Sequence, residues 1–114
     1  MRSATFVCFE CRTTERVPVS RLSKTCRKCR KPAESVFYKF PIPRRTDDRG
    51  WEELLRKVRP FNRAARERAL VYYRTEQARL EKLIHTTPSK ARAFATRLKA
   101  ARKAITQWQS FHVV

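Results

Sequence analysis

Hydrophobic positions along the 114 residues change period twice. In residues 4–22 they alternate. Thr5-Phe6-Val7 leads into Cys8, and Val17 and Val19 lie two apart with Pro18 between them. This pattern predicts a small β-hairpin whose second strand is an edge strand or ends at the proline. The aromatic run Val36-Phe37-Tyr38-Lys39-Phe40 is extended, and Pro41-Ile42-Pro43 keeps the chain on a β or polyproline path. From residue 51 the period becomes helical. Trp51, Leu54, Leu55 and Val58 share one face of a short helix, which Asp47 or Asp48 caps and Pro60 ends or sharply bends. Residues 61–85 make a longer helix with a seam of Leu70, Tyr73, Gln77, Leu80 and Ile84. After the turn Thr86-Thr87-Pro88-Ser89, a last helix from about 88 to 109 carries Ala91, Phe94, Leu98, Ala101, Ile105 and Trp108 on its seam. Two long helices joined by so short a turn pack antiparallel.

The expected fold is therefore small α+β: an N-terminal ribbon built on a short β-hairpin, then a short helix and a long antiparallel α-helical hairpin. The chain divides on this reading into a ribbon (1–35), an aromatic and proline-rich extended linker (36–49) and a helical part (50–114). Phe37, Tyr38 and Phe40 cover the ribbon and close a shared core with Trp51. Tyr72, Tyr73 and Trp108 belong to core or interface.

All four cysteines fall in the first 29 residues, as two Cys-x-x-Cys pairs separated by 14 residues. Each pair bends the backbone so that two sulfurs face one point, and together Cys8, Cys11, Cys26 and Cys29 supply a tetrahedral thiolate cage for one structural zinc ion. A redox Cys-x-x-Cys normally opens a helix in a βαβ unit, and that pattern is absent. A module this small needs a metal, a disulfide or a partner to fold. A four-thiolate shell leaves no open position for water, so the zinc is not catalytic.

The two cysteine pairs resemble those of the zinc-ribbon superfamily, whose metal is held by four cysteines. Within residues 8–29, Val17-Pro18-x-x-Arg21-Leu22 is similar to the segment between the cysteine pairs of the DksA/TraR zinc-finger family, which acts on bacterial RNA polymerase. That resemblance implies the four metal ligands and nothing catalytic. The chain departs from the family in its shorter spacer, in Arg12 where the family has glycine after the second cysteine, and in helices that follow the finger. Thr86 to Lys90 also lacks the family's acidic hairpin tip.

Charge points to a partner. The chain carries 28 basic and 10 acidic residues, a formal +18, or about +16 once a four-thiolate zinc centre is counted. Such a domain gains most by meeting a polyanion. Arginine outnumbers lysine 19 to 9, which favours bidentate phosphate contact. Three groups are candidate nucleic-acid contacts. Arg21, Lys24, Arg27, Lys28, Arg30 and Lys31 surround the second cysteine pair. Arg44 and Arg45 follow the aromatic run. Arg92, Arg97, Lys99, Arg102 and Lys103 lie on the last helix, where residues 86–114 hold no acid.

The expected function is a nucleic-acid-binding zinc-ribbon protein that holds the phosphate backbone of DNA or RNA, free or within a ribonucleoprotein. The alternative is a virus-encoded or cellular regulator that docks on a large machine such as RNA polymerase or the ribosome. No glycine-rich loop, nucleophile elbow or carboxylate cluster points to an enzyme, a small-molecule substrate or an organic cofactor. No apolar run approaches the roughly 20 residues of a membrane span, and Glu10, Arg12, Glu15 and Arg16 interrupt any leader core. The expected location is cytoplasmic or nucleoid-associated, where thiols stay reduced.

Overall fold

The computed structural model describes residues 3–37 and 40–114, excepting the side chain of Phe37. The expectations for Tyr38 and for the Phe37 ring therefore lie outside the described residues. The elements are β1 (Ser3–Cys8), β2 (Thr13–Pro18), β3 (Glu34–Phe37), α1 (Asp48–Thr86) and α2 (Ala91–Gln109), with a 3-10 turn at Pro88–Lys90. The chain forms two compact units, residues 1–64 with 111–114, and residues 65–110. Among the described residues, no helix is long and apolar enough to cross a membrane.

In the first unit an antiparallel sheet has the order β2-β1-β3. The β1–β2 hairpin expected from Phe6, Val7 and Val17 is present, with Ala4 opposite Val17 and Cys8 opposite Thr13. β3 adds the strand that alternation did not reveal, pairing Val7 with Glu34. Central β1 contributes to a cluster on each of its faces. Ala4 and Phe6 join Val17 and Ala33 on one face. Val7 joins Val36 on the other, under Trp51, Leu54 and Val58 of α1. Phe9 and Phe40 pack against that second cluster, and the Phe9 ring meets Trp51 edge-on at 5.9 Å.

Asp47 caps α1. Its Oδ1 accepts from the Gly50 N–H at 3.0 Å and its carbonyl accepts from the Trp51 N–H at 3.1 Å. Glycine is required at position 50, because a Cβ there would run into the Asp47 carboxylate and lie 2.9 Å from Pro43 Cβ. The Trp51 indole N–H donates to the Arg44 carbonyl at 3.0 Å.

Of the two outcomes expected at Pro60, an end or a sharp bend, the end does not occur. The helix runs through it as one element of 39 residues. Proline forfeits one backbone bond and crowds the carbonyl four residues back, a cost of about 3 kcal/mol in a helix interior. Here contacts to the sheet hold the helix on both sides. Val58 is fully buried. Arg59 Nε donates to Glu34 at 3.0 Å, and Asn62 Nδ2 donates to the Ser35 carbonyl at 2.8 Å. Tertiary packing overrides the local preference.

In the second unit the expected seam is present. Leu70, Leu80, Leu98, Ala101 and Ile105 are buried, and Tyr73, Gln77, Ile84, Ala91, Phe94 and Trp108 are half-buried. Gln77, its polar member, donates to Glu81 at 3.2 Å. Arg66 donates to the carbonyls of Trp108 and Gln109 at 3.2 and 3.4 Å. The end of α2 thus returns beside the first turns of this unit. Tyr72 is not a core residue: it is 61% exposed beside Val71 at 59%.

Candidate metal centre and basic faces

The two cysteine turns are built alike. Cys8 closes β1 and Thr13 opens β2, so Phe9 to Arg12 form the hairpin turn. The Arg12 N–H donates to the Cys8 carbonyl at 2.7 Å, and the Cys11 N–H approaches Cys8 Sγ at 3.5 Å. In the second turn the Arg30 N–H donates to the Cys26 carbonyl at 2.9 Å, and the Cys26 N–H donates to the Lys31 carbonyl at 2.9 Å. The residue after the second cysteine of each pair is left-handed: φ is 53° at Arg12 and 61° at Arg30. Glycine adopts that conformation freely, whereas an L side chain there costs about 1–2 kcal/mol.

This geometry brings the four sulfurs within 4.8 Å of one another, and all four cysteines are free thiols. Cys8 Sγ lies 3.5 Å from Cys29 Sγ. A tetrahedral cage with Zn–S of about 2.3 Å sets its sulfurs roughly 3.8 Å apart, so the donor set and spacing fit one metal ion. Electrostatics add a second test. Burial raises the Cys8 thiol. Desolvation, followed by the thiols of Cys29 and Cys8, pushes Cys11 up to about 12. Cys26 is pulled down to about 6, first by the Cys29 backbone N–H, then by that of Lys28. The Thr13 hydroxyl adds a contact to Cys26 Sγ at 3.8 Å. Without a cation, then, the surroundings favour a thiolate at Cys26 and neutral thiols at Cys8 and Cys11. A divalent ion reverses that preference and takes all four as thiolates.

Of the candidate cations, several are bound to acids. Lys24 and Arg27 share Glu15 at 3.3 and 3.0 Å, and Lys31 meets Glu10 at 2.8 Å. Arg97 meets Glu76 and Arg102 meets Glu81, each at 3.3 Å. Arg79 also holds Glu76, keeping that carboxyl below its ordinary range. By contrast, Arg21, Lys28, Arg30, Arg44, Arg45, Arg92, Lys99 and Lys103 have no ion pair among the described residues. The backbones of Arg44 and Arg45 are structural, since their carbonyls accept from Trp51 and from Arg12.

Sequence reasoning missed Arg12 as a bracket. Its guanidinium donates to the Arg45 carbonyl at 2.8 Å and pairs with Asp48 at 2.6 Å, which ties the first cysteine turn to the start of α1. The signal was the repeated Cys-x-x-Cys-Arg, which places the same residue type after each pair. No family model, curated protein or solved structure matches this chain.

Proposed function

We propose that the chain is a zinc-ribbon protein that binds nucleic acid through its phosphate backbone, with one structural zinc held by Cys8, Cys11, Cys26 and Cys29. The observation that carries this reading is the unequal use of its charges. Glu10, Glu15, Glu76 and Glu81 each hold a cation, yet Arg21, Lys28 and Arg30 around the second cysteine turn have no acidic partner among the described residues, and neither do Arg92, Lys99 and Lys103 on α2. A solvated helix usually mixes both signs, whereas α2 contains no acid. Arg92, Lys99 and Lys103 recur at seven and four residues, so they share a face opposite buried Leu98, Ala101 and Ile105.

The test is a salt titration of binding to duplex DNA, structured RNA and single strands. Each duplex phosphate contact contributes about −0.9 to the log–log slope. Replacing Arg92, Lys99 and Lys103 together with alanine therefore flattens the slope by about 2–3 units, with folding intact. Absence of binding to every polyanion at physiological salt removes the reading.

One observation favours a second reading, the regulator that docks on RNA polymerase or the ribosome. Val71 and Tyr72 stand exposed together on α1, and Tyr72 meets Tyr73 edge-on at 5.1 Å. Exposed aromatics of this kind anchor protein interfaces. A stoichiometric protein partner that survives nuclease treatment, and is lost with Tyr72→Ala, would place this reading first.

A further inference from the structure

The two cysteine turns share a backbone but not a use of their side chains. Both put arginine in the left-handed region after the second cysteine, where glycine would sit without strain. Arg12 has a return for that strain, through Arg45 and Asp48. Arg30 has none: its side chain is exposed and makes no hydrogen bond or ion pair among the described residues. The left-handed backbone closes the Cys26 turn, but nothing in the turn calls for arginine rather than glycine, so a side chain kept there without a contact is a candidate functional group.

A cavity of about 340 Å³ adjoins the same turn. Ligand pockets run from roughly 300 to 1,000 Å³, so this one has room for a single nucleobase with its sugar. Its floor is Phe6 and Ala33 of the smaller core cluster, and Thr13, Thr14 and Thr25 edge it. Lys24, Arg27 and Lys28 bring three positive charges to its wall, and Glu15 pairs with the first two. Cys8 and Cys26 also line it, and a four-thiolate zinc carries a net charge of about −2. With zinc bound, these charges cancel. The cavity therefore suits a neutral, hydrogen-bonding group, and Arg30, two residues beyond Lys28 on the same turn, carries a positive charge with no acidic partner among the described residues.

We propose that this turn and its cavity read single-stranded nucleic acid: one unstacked base enters between the threonines over Phe6 and Ala33, while Arg30 holds an adjoining phosphate. The proposal rests on the nucleic-acid function above and adds to it the class of strand and the residue that repays its strain only when bound.

The experiment uses the zinc-loaded full chain and three fluorescent probes: a ten-nucleotide single-stranded RNA, the same strand made abasic, and a ten-base-pair duplex. Binding is read by anisotropy across a salt series. The single strand with bases binds about tenfold or more tighter than the abasic strand, as expected for the loss of base contacts, and tighter than the duplex. Arg30→Gly lowers affinity for both single strands and flattens the salt slope by about 0.7. Relief of the left-handed strain raises its zinc affinity roughly five- to thirtyfold, measured by chelator competition. Arg12→Gly leaves the salt slope unchanged. Thr14→Val lowers affinity for the base-bearing strand alone. Equal binding of the normal and abasic strands, or tighter binding of the duplex, overturns the base-reading cavity while leaving nucleic-acid binding in place. An unchanged slope in Arg30→Gly removes Arg30 from the site. Failure of wild type to bind any probe overturns both this proposal and the function it rests on.

Discussion

The Glu34–Arg59 pair joins β3 to α1 one residue before Pro60, and its two members are unequal. The Glu34 side chain is 8% exposed and that of Arg59 is 30% exposed, with Nε–Oε1 at 3.0 Å and Nη2–Oε2 at 3.5 Å. The Arg59 guanidinium also lies 5.8 Å from the centre of the Phe9 ring. Removing the arginine strands a buried carboxylate, which typically costs about 3–5 kcal/mol. Neutralising the acid leaves a cation near water that still has an amide oxygen to donate to, at a cost of about 1–2 kcal/mol. Arg59→Met is thus expected to destabilise the first unit far more than Glu34→Gln. The double variant should fall close to Glu34→Gln alone, giving a coupling equal to the arginine's own cost, about 3–5 kcal/mol. Denaturation of the zinc-loaded protein is followed by Trp51 fluorescence in a Trp108→Phe background, because Trp51 is buried in the cluster that this pair borders. A loss below about 1 kcal/mol for Arg59→Met would show that Glu34 is hydrated and that the pair does not hold α1 to the sheet.

Two further outcomes follow from the packing and the thiols. Leu98→Asp puts an unpaired charge into the buried seam of the second unit, so circular dichroism of the full chain should show a large loss of helix, and Arg92→Asp almost none. Equal losses would refute the seam. Metal affinity should rise with pH, because Cys8 and Cys11 are held as thiols and must lose protons on loading. Cys26, with its metal-free value lowered to about 6, stabilises the metal-free fold above its ordinary range. That contribution is lost as pH falls through about 6. Zinc titrations at pH 5.5 and 7.5 should show weaker binding at the lower pH, and a pH-independent affinity would contradict this.

The parts legible in the sequence are those with a local period or a fixed spacing. Four cysteines at fixed spacing come together. The hairpin follows from alternation about Cys8 and Val17, and the seam follows from the 3-4 recurrence of Leu98, Ala101 and Ile105. What escaped depends on partners distant in sequence. β3 is four residues long and pairs with β1, far earlier in the chain, so its pattern could not be told from an extended linker. Pro60 reads as a stop or a sharp bend, and the continuation of the helix depends on the anchors from Arg59 and Asn62 to Glu34 and Ser35. The bracket from Arg12 to Asp48 looked like one more surface cation. The basic face of α2 is legible in its spacing, because Arg92, Lys99 and Lys103 recur at seven and four residues on a helix without an acid.

The central claim is the four-thiolate zinc, and native mass spectrometry of the chain purified from its own cells without added metal tests it most directly. One zinc per chain is expected, lost in Cys26→Ser together with the folded signal of residues 3–37, while the helical signal of α2 persists. A structural zinc is worth on the order of 10–16 kcal/mol in apparent binding free energy, so occupancy should survive desalting at neutral pH. A metal-free chain whose mass is about two daltons low, with a cysteine–cysteine disulfide on peptide mapping, would contradict the account.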